Sequence, residues 1–390
     1  MIEIKDKHKC VGCKACNIVC PKDCISFYND NEGFVYPLVD KALCINCGKC
    51  DRVCPVINRY NSSIPIDSFA AKSIDKEIVR RSSSGGIFYS LAKLIFNKQG
   101  VVFGARFNDD WQVVYDYCEK DSDILPFLGS KYAQADLCDS FIKVKEFLKA
   151  DRYVLFVGTP CYIAALKRYL RKDFDKLLLV DFICHGVPSP KVWDLFNRKY
   201  VNQSETKKIS FRDKTNGWRH FSISFEKQNG EKKVLGIDEN LYQKALVKSL
   251  TLRPSCYKCP SKGFRSKSDV TIGDFWGINR VLNRKDDDTG ISFVTVNNKN
   301  GEDWFLKMEN VEKEKVHFSK ALVFNDHLLK STGKNRHRYD FFKNIDNKDI
   351  LINLRENLKY GYIDKKMYKL NLKLYTIERF IFLLKNKKRD

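Results

Sequence analysis

Residues 10–24 read CVGCKACNIVCPKDC, five cysteines in fifteen residues. That density is too high for ordinary core filling. Within the stretch the spacing is C-x2-C-x2-C-x3-C-P, ending at Pro21. The same spacing returns 34 residues later at Cys44, Cys47, Cys50, Cys54 and Pro55. Between the copies, CISFYNDNEGFVYPLV (24–39) reads as a hairpin with Asn-Glu-Gly turn chemistry.

Thiolates at this spacing form the bacterial-ferredoxin pattern for 4Fe–4S clusters. Three sulfurs of each tight loop converge on one cluster, and the fourth, before proline, reaches the other. On that scheme Cys10, Cys13, Cys16 and Cys54 hold one cluster, and Cys44, Cys47, Cys50 and Cys20 the second. Structural zinc would usually need only paired C-x2-C knuckles, so four cysteines plus proline, twice over, favour iron. Cys24 falls outside the pattern and reads as a buried, inert residue.

The 390 residues leave room for a larger domain behind residues 1–60. NSSIPI (61–66) reads as a linker. Beyond it strands and helices alternate. SFAAK (68–72), GVVFGARF (100–107), YVLFVGTPC (153–161) and LLLVDFICHG (177–186) read as strands, with helices over 85–98 and 162–170. KKISFRD, FSISFEK and ISFVTVNN add later strands. The expected class is α+β or α/β: a small ferredoxin-like domain, then a larger α/β domain with a mixed sheet, then a helical tail. Residues 360–390 carry nine lysines and arginines against three acidic residues on a helical apolar pattern. That tail suits an anionic membrane surface, or packing on the domain.

The chain holds fifteen cysteines and has a formal charge of +22. No apolar leader or membrane-length run is visible, so the expected location is cytoplasmic, with peripheral contact at the inner membrane face through the tail. A reducing compartment turns clustered cysteines toward metal or redox chemistry. The lysines are spread along the chain without a compact basic motif, which argues against a nucleic-acid partner. The oligomeric state is not legible.

In the larger domain Cys161 and Cys184 follow consecutive buried strands, and Cys256 and Cys259 form CYKC. Ends of strands in α/β sheets are where ligands bind, so a further four-thiolate site is one reading. A Cys161 nucleophile activated by His185 is another. Cys118 and Cys138 read as structural. RRSSSGGIFYSLAK (80–93) and FLGSKYAQ (127–134) each resemble a phosphate-binding loop, though neither is a G-x-G-x-x-G or P-loop.

SSSGGIFYSLAK, GSKY, GTPCYIAAL, VDFICHGVPSPKVW, ISFRDKTNGW and SDVTIGDFWG, in this order, resemble the coenzyme F420 hydrogenase/dehydrogenase β-subunit family over residues 67–335. The bacterial branch with a fused dicluster ferredoxin often accompanies surface-polysaccharide genes. The resemblance implies a third 4Fe–4S cluster on Cys161, Cys184, Cys256 and Cys259. It implies FAD at Ser84, Gly85, Gly86, Gly129, Ser130, Lys131 and Tyr132. SDVTIGDFWG matches the F420 members only loosely, which speaks against deazaflavin as substrate. The expected activity is a relay from a ferredoxin- or flavodoxin-type donor through the clusters and FAD to a small, sugar-related organic substrate. An electron-transfer subunit serving a partner enzyme is the alternative. Lys131, His185 and Lys267 are the catalytic candidates, with Asp269, Asp274 and Trp276 on the substrate side. Residues 336–390 form a basic C-terminal extension.

Overall fold

The computed structural model describes residues 1–283 and 286–359. The basic tail, 360–390, lies outside them. The N-terminal hairpin pairs β1 (Ile25–Asn29) with β2 (Val35–Val39), antiparallel. The strands that follow are β3 (Asp67–Ser73), β4 (Val101–Phe107), β5 (Val113–Cys118), β6 (Val154–Gly158), β7 (Leu177–Phe182), β8 (Thr206–Asp213), β9 (Ser222–Lys227), β10 (Lys232–Leu235), β11 (Val270–Asp274), β12 (Ser292–Val296) and β13 (Val311–Lys315). Eight of them make one mixed sheet in the order β13-β3-β12-β11-β7-β6-β4-β5. Its centre, β11-β7-β6-β4, is parallel, and the flanks are antiparallel. The large mixed sheet expected from the sequence is present.

Parallel strands must be covered on both faces, which is why they read as continuous apolar runs. Alternate residues serve opposite layers: Phe103, Phe156 and Leu179 face one core, and Val102, Leu155 and Val180 the other. The helix Ile87–Phe96 seals the second core through Ile87, Leu91 and Ile95. The first core also takes in Val11, Cys13, Ala15 and Val53 from the cysteine-rich segment. The two N-terminal loops are therefore docked into the larger domain's core. Each of the two valines contributes about 1.5–3 kcal/mol on full burial.

β8, β9 and β10 form a separate antiparallel sheet. Helices Arg338–Lys343 and Ile350–Leu358 pack against it through Phe341, Phe342, Ile350 and Leu354. The first part of the stretch read as an extension thus belongs to a core. Among the described residues no helix is long and apolar enough to cross a membrane.

Candidate functional site

The N-terminal cysteines fall into two groups. Cys20, Cys44, Cys47 and Cys50 line one cavity. Cys10, Cys13, Cys16 and Cys54 lie close enough for their charges to act on one another: burial lifts the Cys13 thiol well above its ordinary range, with Cys16, Cys54 and Cys10 adding to the rise. The Cys16 thiol is pushed up to about 12 by burial and by Cys10 and Cys54. The spacing assigns these same cysteines to two crossed clusters. Local backbone explains the convergence: Lys14 and Gly48, at the N-caps of the short helices Ala15–Ile18 and Lys49–Val53, take left-handed conformations that bend each loop back. Among the described residues, no three His, Cys, Asp or Glu side chains close around a single ion position. The sulfurs surround a space, which suits a multi-iron group better than one zinc. Thiols this buried become thiolates only beside a cation.

Cys24 is buried and lines the same cavity, its Sγ 3.3 Å from that of Cys20. Cys118 is buried, whereas Cys138 is exposed at a left-handed backbone position and packs into no core. A surface turn, not a core, needs that residue.

Cys161, Cys184, Cys256 and Cys259 also come together. Burial drives the Cys161 thiol well above its ordinary range, and the other three add to it. Cys184 is pushed up to about 11 and Cys256 to about 12, burial again leading. Cys161 and Cys184 follow the C-terminal ends of the neighbouring parallel strands β6 and β7. The helix after β6 begins at Pro160, earlier than the spacing suggested, because proline suits the first helical position. That puts Cys161 in the first turn, where free N–H groups favour a thiolate. The loop after β7 is laced to 251–256: Arg253 N donates to Val187 O (2.9 Å), Ser189 N to Thr251 O (2.9 Å) and Val187 N to Cys256 Sγ (3.4 Å). A nucleophilic Cys161 does not fit, since His185 turns elsewhere. Its Nδ1 meets His327 Nε2 at 3.0 Å and its Nε2 meets Ser249 Oγ at 3.0 Å. Burial, with His327 and Lys262 nearby, lowers His185 to about 4, so it is neutral at pH 7 and wedges the loop in place.

The serine–glycine and GSKY loops meet. Ser130 N donates to Ser83 Oγ (2.7 Å), and the two hydroxyls are 2.8 Å apart. Gly86 caps the helix Ile87–Phe96, Ser84 Oγ donates to Ile291 O (2.7 Å), and Gly85 N donates to Ser292 Oγ (3.0 Å). Gly129 turns the second loop at φ 77°. Lys131 Nζ donates only to the carbonyls of Pro126 (2.7 Å) and Leu128 (3.0 Å), and burial lowers it to about 7. Tyr132 leads onward: Arg212 donates to its hydroxyl (3.2 Å) and to Asp274 Oδ2 (2.6 Å). Trp218 Nε1 donates to Asp274 Oδ1 (3.2 Å), and Trp218 stacks on the half-exposed Trp276 at 5.1 Å and 7°. Asp274 and Trp276 therefore adjoin the GSKY loop. Asp269 does not serve there, because it is buried and accepts from Leu179 N (2.6 Å) and Asn298 Nδ2 (2.8 Å). Lys267 has Lys167 as its charged neighbour.

Comparison with known proteins agrees with this layout. Residues 9–58 match the model of the 4Fe-4S dicluster domain, and residues 151–321 match that of the C terminus of the coenzyme F420 hydrogenase/dehydrogenase beta subunit. The chain thus joins a segment similar to 4Fe-4S dicluster domains to a segment similar to the C terminus of an oxidoreductase β subunit. Among solved structures it is similar to a chain from the xenon-derivatised F420-reducing [NiFe] hydrogenase complex of Methanosarcina barkeri, at 19% identity and TM-score 0.44, covering 66% of this chain and 82% of that one. No curated protein matches.

Several residues of the β-subunit domain escaped the sequence reading. Lys214 Nζ is held by the carbonyls of Val79 (2.7 Å), Ser84 (3.1 Å) and Thr289 (2.7 Å), and burial lowers it to about 7. Arg212 is buried, and among the described residues its Nε and one terminal nitrogen have no hydrogen-bond partner. Lys262 bridges the carbonyls of Cys184 and His327. Arg253, fully buried, reaches from the CYKC segment to Cys10. Each lies far in sequence from its partners, so no local spacing could reveal it. The one signal is Gly12, at φ +71°: a Cβ there would stand 2.7 Å from Arg253 and 2.6 Å from Gln134. It marks where the dicluster loop lies against the β-subunit domain.

Proposed function

We propose that the protein relays electrons one at a time through the dicluster domain and a third 4Fe–4S cluster to FAD, which serves an organic substrate. The observation that carries this reading is the grouping of twelve cysteines into three sets of four. Cys20, Cys44, Cys47 and Cys50 form the outer set, Cys10, Cys13, Cys16 and Cys54 the middle set, and Cys161, Cys184, Cys256 and Cys259 the inner one. Cys47 is exposed, and Leu43 and Ile45 are exposed beside it with Lys22 and Lys41. That end suits docking of a small, acidic donor of ferredoxin or flavodoxin type.

The flavin reading is supported by the orphaned nitrogens of Arg212 near Lys214 and Tyr132. Buried cationic groups whose one direct carboxylate contact among the described residues is Asp274 suit an anionic ligand. Ser83, Ser84, Ser130, Lys131, Lys214 and Arg212 would hold FAD. When bound, it supplies the step from one-electron to two-electron chemistry. Lys131 would offset negative charge on the cofactor, and the exposed face of Trp276 would seat a flat or sugar-like ring beside Asp274. A second reading makes the chain an electron-transfer subunit, favoured because the matched model is that of a β subunit.

Protein purified without oxygen should contain about twelve irons and one FAD per chain. Eight irons would remove the inner cluster, and absence of flavin would remove the proposed chemistry. Turnover with small acceptors, set against electron exchange only with a co-purified enzyme, separates the two readings.

pH gives an independent check. Lys131 and Lys214 titrate near 7 when the site is empty. An anionic ligand holds them protonated, so above pH 7 binding must take up protons. FAD affinity of the flavin-stripped protein should fall from pH 6 to pH 8, by about tenfold for each lysine that stays charged in the complex. A flat profile would place both lysines outside the site.

A further inference from the structure

Arg253 is fully buried, and the structure gives it no carboxylate partner among the described residues. Its Nε donates to Cys10 O (2.8 Å), one terminal nitrogen to Gln134 Oε1 (2.9 Å), and the other to Val35 O (2.8 Å) and towards Cys10 Sγ (3.5 Å). The guanidinium lies over the rings of Tyr36 (4.5 Å) and Phe34 (5.3 Å). It caps the short 3-10 helix Pro254–Lys258, which carries Cys256, and acts electrostatically on the Cys256 thiol as well as on Cys10. From Arg253 the network runs through Gln134 to Tyr162 (3.1 Å), the residue after Cys161.

A buried guanidinium needs negative charge close by. Rings, carbonyls and an amide supply only partial charge. The full negative charges within reach are thiolates, Cys10 on one side and Cys256 on the other. We propose that Arg253 is the electrostatic bridge between the middle and inner clusters, setting both of their reduction potentials. This rests on the three-cluster reading of the cysteine sets. Reduction adds one electron, and so one negative charge, to a cluster, while the other cluster loses one. A fixed positive charge stabilises the reduced form on either side, raising both potentials together and leaving the step between them unchanged.

The test is potentiometric titration of anaerobically purified holoprotein with dithionite, followed by electron paramagnetic resonance, with iron counted per chain. In Arg253→Gln two of three midpoints should move down by about 59 mV, a tenfold change in a one-electron equilibrium. The third midpoint, that of the outer cluster, should stay. Gln134→Glu places a carboxylate against the guanidinium without removing it, and should shift the same two midpoints in the same direction. It carries the test if Arg253→Gln fails to fold. Full iron with unmoved potentials in Gln134→Glu, or equal shifts of all three, would overturn the proposal. Fewer than about twelve irons in the wild-type chain would instead defeat the cluster reading on which it rests.

Discussion

The variant Cys256→Ser should retain about eight irons per chain where the wild type holds about twelve. Reduction of the flavin by electrons entering at the dicluster domain should collapse. Even the outer partners of a metal site are worth about 10- to 100-fold, so loss of a ligand should slow this step by more than about 100-fold. Cys256 sits among Cys161, Cys184 and Cys259, and its backbone is laced to the loop that carries Cys184. A serine oxygen is a harder and less readily ionised donor than a thiolate. The two dicluster signals should persist, because their cysteines occupy separate sets. Cys138→Ser is the control: Cys138 is exposed and belongs to none of the three sets, so iron content should not change. Twelve irons in Cys256→Ser would show that Cys256 is not a ligand the third cluster requires. Twelve irons lost together would show that the sets are not independent.

The sequence made the dicluster domain readable because its chemistry is local. Ligand spacing within ten residues fixes which sulfurs can meet, and the crossing of Cys20 and Cys54 follows from the same loop geometry. The parallel core strands are equally plain, since β6 and the first four residues of β7 are apolar runs buried on both faces. What spacing could not give was the environment of each group. His185 reads in the sequence as a partner for Cys161, yet His327 and Ser249 occupy both its ring nitrogens. Asp269 looked like a site acid, yet it fastens β7 to the turn after β12. Arg212 and Lys214 lie inside ISFRDKTNGW, yet neither that stretch nor the spacing around Arg253 shows what these side chains meet, because buried cations are defined by distant partners. The docking of residues 1–60 was also hidden. NSSIPI suggested a loose linker, whereas Val11, Ala15 and Val53 lie inside the β-subunit domain's core.

That docking has a second fastener, and breaking it should be costly. Glu32, at the tip of the β1–β2 hairpin, receives both terminal nitrogens of Arg338, one at 2.6 Å. Arg338 is 7% exposed at its side chain, stacks on Phe342 at 4.5 Å, and also donates to Leu252 O (3.0 Å) and Tyr257 Oη (3.1 Å). One guanidinium thus joins the dicluster hairpin, the CYKC segment and the C-terminal helices. Gly33, beside Glu32, turns at φ +84°, and a Cβ there would lie 2.3 Å from that of Lys191, so the tip is pressed against the helix Pro190–Asn197. Removing one member of a buried pair leaves the other charged and unpaired, which costs about 3–5 kcal/mol. The Glu32 side chain is 19% exposed, so Glu32→Ala should fall at the lower end, about 3 kcal/mol. Denaturant unfolding of iron-loaded protein without oxygen measures it. Glu32→Ala combined with Arg338→Met should lose less than the two single losses added, because the double variant leaves no buried charge. Strict additivity would mean that the pair fastens nothing. Looser docking should also slow electron passage from the middle to the inner cysteine set. The outer set should still be reduced at the wild-type rate, since its cavity is lined by residues 1–50 alone.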